Sequence, residues 1–108
     1  MDRDRVWKAQ RPMSVNIGNL TFDRVRYDAE GDVLYLHRAD PKEAVDFDAS
    51  PEGHALRFNA AGELIGVTIV NARWLLEHEG EIKITIPELI PELIHVPPAA
   101  LEGALVAA

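Results

Sequence analysis

Three acids stand at alternate positions, Asp28, Glu30 and Asp32. That is the spacing with which a loop presents oxygens to a hard cation. An EF-hand would also need glycine at its sixth position and a bidentate glutamate at its twelfth. Those positions hold Val33 and Ala39, so the motif fails, and turn chemistry with solvated acids is the simpler account. The four histidines, His37, His54, His78 and His95, share no ligand spacing. Cysteine is absent, which removes thiol nucleophiles, disulfides and thiolate-bound zinc. Ser14 and Ser50 lie in no nucleophile elbow, and there is no glycine-rich phosphate loop. None of the 18 acids forms a spacing that singles out a glycosidase pair. A small enzyme or metal-dependent site would have to use Asp28, Asp32 or His37, converging in a pocket. No catalytic residue, metal or cofactor is assigned, and the expected class is non-enzymatic.

The elements that would position these groups begin with Tyr27–Leu36. Tyr27 ends one strand, and Val33-Leu34-Tyr35-Leu36, rich in β-branched and aromatic residues, starts the next. Ala29-Glu30 suits the centre of a type I turn, with Gly31 in the left-handed position of a bulge and Asp28 bonding forward onto the turn. The scheme returns at Phe58-Asn59-Ala60-Ala61-Gly62-Glu63-Leu64-Ile65-Gly66-Val67. Two hairpins on one scheme predict a β-meander. The expected turn residues are Asp28, Gly31, Asp32, Asn59, Gly62 and Gly66.

Before the first hairpin, Val25 and Tyr27 share a face while Phe22 falls on the opposite parity, so a bulge or two covered faces is expected. Asn16, Gly18 and Asn19 mark a turn. After it, Asp40-Pro41 breaks the chain. Val45 and Phe47 alternate with Ala44, Asp46 and Asp48 in a short edge strand whose acids discourage pairing with another edge. Leu64–Val70 is the most apolar run and the expected central strand, with Gly66 admitting an aromatic ring or backbone at close range. Asn71 is placed to cap a helix over 72–79, and Gly80 to end it. Ile82, Ile84 and Ile86 alternate as a half-buried strand. Pro-Glu-Leu-Ile, twice over 87–94, predicts a turn or short helix. The tail 97–108 is helix-prone and apolar, and must pack on its own sheet or on a second copy.

At 108 residues the chain fits one domain. It divides into a charged extension at 1–13, a β-rich body at 14–96 and the tail at 97–108; Met13 is a candidate natural start. The chain carries 11 Lys/Arg and 18 Asp/Glu. Residues 1–13 take four and two of these, which leaves the rest with seven against 16, net −9. So acidic a body disfavours phosphate backbones and favours a basic protein partner. No apolar h-region opens the chain, and no apolar run approaches the ~18 residues of a bilayer span. The expected setting is therefore cytoplasmic, without membrane association.

Tyr27-Asp28, Asp32-Val33-Leu34-Tyr35-Leu36 and Asn59-Ala60-Ala61-Gly62-Glu63-Leu64-Ile65-Gly66-Val67-Thr68-Ile69 resemble domain-of-unknown-function family 2283, the YuzE-like short prokaryotic proteins. Asn59 stands where the family has Asp, and Thr68 where it has Glu. The resemblance implies a small β-rich α+β domain with no established activity, and relatives that look like the antitoxin half of paired gene modules. The expected fold is α+β: an antiparallel meander of four to six strands, one packed helix and a C-terminal helical tail. The expected function is an antitoxin-like binding module masking a basic partner through Asp46, Asp48, Trp74, Leu101 and Leu105. The alternative is a structural homodimer in which the tail docks on its twin.

Overall fold

The computed structural model describes residues 14–86, 92–101 and 103–105. The extension at 1–13 and the first Pro-Glu-Leu-Ile at 87–90 lie outside them. Strands β1 (Val15–Ile17) and β2 (Leu20–Phe22) form a hairpin of their own. Strands β3 (Arg24–Asp28), β4 (Val33–His37), β5 (Asp46–Ala49), β6 (Ala55–Phe58) and β7 (Leu64–Val70) make one antiparallel sheet, in the order β3-β4-β7-β6-β5. Helix α1 (Ala72–Glu79) follows, then a third sheet of β8 (Ile82–Ile86) and β9 (Glu92–Val96), and helix α2 (Pro98–Leu101).

The α+β class holds, but the meander does not. Nine strands in three sheets stand among the described residues. After β4 the chain crosses to the far edge, lays down β5 and β6, and inserts β7 beside β4. The crossover carries a 3-10 turn at Pro41–Glu43, closed by an Asp40/Glu43 capping box. Strand β7 is central, as its apolar run predicts, and β5 is an edge. The parity break at Phe22 has a simple cause: the chain leaves the β1–β2 hairpin at Asp23 and enters another sheet.

One face of the large sheet makes the core. Val25, Tyr27, Leu34, Leu36, Leu56, Val67 and Ile69 meet across the ladders and pack with Val15, Ile17, Phe22, Ile82, Ile84, Ile86, Ile94, Val96, Leu101 and Ala104. The two hairpins and the helices thus form a second layer on that face. Each fully buried Leu or Ile contributes ~1.5–3 kcal/mol relative to exposure.

Three local expectations are corrected. Gly31 does not take the left-handed position; Asp32 does, with φ 54°. A β-carbon on Gly31 would instead lie 2.9 Å from Asp28 Oδ2, so glycine serves close approach there. Asn71 sits at the N-cap position but makes no side-chain cap bond. The cap comes from Asp32, 41 residues before Arg73: its carboxylate accepts from Arg73 N–H at 2.8 Å and Trp74 N–H at 3.1 Å, and its carbonyl accepts from Ala72 N–H at 3.1 Å. Residues 92–94, expected as turn or short helix, belong instead to strand β9. Ile94 and Val96 alternate inward opposite Ile84 and Ile82, and that burial outweighs the local signal of the prolines.

The second hairpin follows its sequence closely. Asn59 Oδ1 accepts from Ala61 N–H at 3.0 Å and Glu63 N–H at 2.9 Å, and Gly62 holds φ 82°, a conformation that strains any side chain.

Burial alone would raise the Asp32 pKa, but hydrogen bonds from Arg73 N–H, the Tyr27 hydroxyl and Trp74 N–H, with the Arg73 charge, outweigh it and lower it. Asp32→Ala removes the cap and places alanine in left-handed backbone; we expect a loss of about 1–3 kcal/mol in urea unfolding at pH 7. The advantage of Asp32 over Asn at this position should be complete above pH ~4, the ordinary carboxylate value, and vanish as pH falls through the lower folded value. A stability unchanged in Asp32→Ala would remove the cap from its linking role.

Candidate functional site

The other face of the large sheet has no described element packed on it. Strand register places its residues in rows. One row runs Arg24, His37, Gly66, Arg57, Phe47 from edge to edge; the next runs Arg26, Tyr35, Thr68, Ala55, Ala49; a third holds Asp28, Val33 and Val70. Val45 extends the Phe47 side by alternation, its N–H bonded to the Phe58 carbonyl. Phe47 is 67% exposed and Val45 56%, so two apolar side chains two residues apart are left to solvent at this edge.

Two of the three arginines on this face are held in place. The Arg26 guanidinium lies 4.3 Å from the Tyr35 ring centroid and that of Arg57 lies 5.7 Å from the Phe47 centroid, both within cation–π range. Arg57 Nη1 also donates to Thr68 Oγ1 at 3.1 Å. Of the strand positions on the face, only Asp28 is acidic.

His37 is the buried member. Its ring fills the space over Gly66, where an added β-carbon would meet Cδ2 and Nε2 at 2.9 Å; the close approach expected of Gly66 is realised by an imidazole. His37 Nδ1 lies 3.2 Å from the Arg38 carbonyl. A carbonyl only accepts, so Nδ1 carries the proton, and buried Nε2 is an acceptor without a partner. Burial, then the charges of Arg57 and Arg24, lower its pKa.

The acids singled out by spacing are not brought together. Asp32 is committed to helix α1 and to the Tyr27 hydroxyl, which donates to it at 2.7 Å. Burial first, then that bond, push the Tyr27 pKa up to about 12. Asp28 and His37 share the open face at opposite ends of the β3–β4 ladder, ~13 Å apart along the strands. Among the described residues, no group of three or more His, Asp or Glu side chains is arranged to hold a metal ion.

Asp46 and Asp48 are exposed on β5, on the side of the strand away from Phe47. Trp74 is half exposed on α1, its ring stacked 4.3 Å from His78. Leu101 is corrected as a partner residue: it is fully buried in its own chain's core. Leu105 packs partly against that core, and its carbonyl accepts from Arg73 Nη2. Sequence reasoning missed Arg24, Arg26, Tyr35 and Arg57 as a surface. Their alternation was visible, but only the strand order sets them side by side.

A separate cleft of about 560 Å³ is lined by Glu52, His54, Leu75, Glu79, Glu81 and Lys83. Two of its acids are already engaged. Glu52 accepts from Thr85 N–H at 2.8 Å and Oγ1 at 2.6 Å, and Glu81 pairs with His95 at 2.9 Å. His54 is buried with Nδ1 unpartnered. Burial lowers its pKa, with Glu52 opposing.

We expect Gly66→Ala to displace His37 and cost about 1–3 kcal/mol, read by urea unfolding; a neutral result would mean the ring yields freely. The depressed histidines also make stability depend on pH. Their contribution is complete above the ordinary histidine value of ~6.5 and is lost as pH falls through the lower folded values. His54→Leu should therefore flatten the fall in thermal midpoint between pH 7.5 and 5. An unchanged slope would acquit His54.

No curated protein and no solved structure matches the chain. One family model does, over residues 24–73: the span from the start of β3 through β7 to the first residues of α1, where Asp32 caps the helix. That segment matches the family described as protein of unknown function, DUF2283.

Proposed function

We propose that the domain is a non-enzymatic protein-binding module that meets its partner through the open face of the five-stranded sheet. The observation that carries this is Phe47, 67% exposed beside the Arg57 guanidinium, on a face with no described element above it. Aromatic residues and arginine are the types enriched where proteins meet, and lysine is depleted there; no lysine stands in the rows of this face. The scattered polar groups of the face favour binding over catalysis, since acid–base work needs convergent groups within hydrogen-bond reach.

A second function, an antitoxin-like masking of a basic partner, is favoured by Asp46 and Asp48, both exposed on the β5 edge. Affinity capture with the full chain from its native host separates the two. We expect a specific partner that is lost with Phe47→Asp and kept with the double change Asp46→Asn and Asp48→Asn. The reverse pattern supports the acidic edge, and no partner above background counts against both. All three positions are exposed, so the variants should keep the wild-type thermal midpoint.

A further inference from the structure

Resting on the open face as the binding surface, we infer that its partner is an extended, acidic protein segment whose alternate carboxylates are taken by Arg24 and Arg57, with Arg26 beside them, and whose next sheet-facing residue, an apolar one, covers Phe47 and Val45. Charge complementarity decides the sign. Outside residues 1–13 the chain is strongly acidic, yet three of its seven basic residues there lie on this one face. Asp28 is the lone acid in the rows, at their far end.

The geometry narrows the occupant. Arg24 and Arg57 share a row, with the His37 and Gly66 strands between them. Three inter-strand steps put them ~14 Å apart, and extended chain covers about that distance between residues i and i+4. A segment lying across the strands, acidic at alternate positions, would therefore set one carboxylate over each arginine. A carboxylate between them passes over the buried His37 ring and offsets the charges of Arg57 and Arg24 that help to lower its pKa. Arg26 is held against Tyr35 and Arg57 against Phe47 and Thr68, so less side-chain freedom is lost on binding.

Two competing occupants fit less well. A second copy placed face to face would set arginine against arginine. A single-stranded nucleic acid needs bare aromatic rings for its bases, but the Tyr35 ring already carries Arg26, and the rest of the domain repels phosphate.

The test uses the full chain and three fluorescein-labelled probes: a 12-residue peptide alternating glutamate with leucine, its lysine–leucine counterpart, and a 12-residue oligouridylate. We expect the glutamate peptide to bind, more weakly as salt rises, with amide shifts in NMR spectra confined to β3–β7. The triple change Arg24→Gln, Arg26→Gln and Arg57→Gln should weaken binding at least tenfold. Arg24→Gln alone, at an exposed site, should weaken it severalfold and guards against misfolding of the triple variant. The His37 ring signals should report protonation at higher pH in the complex than in the free chain. Equal binding of the lysine peptide, shifts elsewhere, tighter binding of oligouridylate, or no binding of the glutamate peptide would each overturn the inference. If the probe fails while captured partner is still lost with Phe47→Asp, the open face stands and only the acidic partner falls.

Discussion

The fold depends on one aspartate. Asp32 stands in the turn between β3 and β4, and through three acceptor bonds it holds the first N–H groups of helix α1. The unsatisfied amide hydrogens and partial positive charge of a helix start draw a carboxylate. Here that carboxylate belongs to a hairpin formed 41 residues earlier in the chain. The Tyr27 hydroxyl donates to the same carboxylate, and the Arg73 guanidinium lies over the Tyr27 ring. Turn, core and helix are thereby tied at one point, which fixes the end of β7 beside β4. Once β7 is seated there, β6 and β5 can only extend the sheet outward, and the second layer can cover only the face that Leu34, Leu36, Val67 and Ile69 present.

Much of this was readable in the residues, and the failures share a cause. The Asn59–Gly62 turn, the apolar run of β7, the helix at 72–79 and the Ile82-Ile84-Ile86 strand are signalled within a few neighbouring residues. Asp32 as a cap was not, because its partners are distant in sequence and the local pattern pointed to Asn71. The prolines of Pro-Glu-Leu-Ile pointed away from a strand at 92–94, and only the facing isoleucines of β8 reverse that preference. Strand order was equally hidden: two similar hairpins suggest neighbours in sequence order, whereas the ladder joins β4 to β7.

The candidate site was missed for the same reason. Arg24, Arg26 and Arg57 read as ordinary outward residues, one strand at a time. They become a surface only when β7, with its bare Gly66 and small Thr68, lies between the strands that carry them. An overall acidic composition masked this segregation of charge. The sum over a chain says little about the potential on one face when the strand order gathers the few cations together.

The crossover after β4 has a consequence for how this chain could be handled. Among the described residues, strands β1–β4 pair among themselves up to the β4–β7 ladder, strands β5–β7 pair among themselves, and that ladder is the one strand pairing that joins the two groups, beside the Asp32 cap on α1. Between them, Ala39–Ala44 holds only a short 3-10 turn and its own local bonds. A backbone break there severs no inter-strand hydrogen bond. The molecule is thus built as two consecutive pieces with a long, specific seam, the arrangement from which split proteins that reassemble in trans are made.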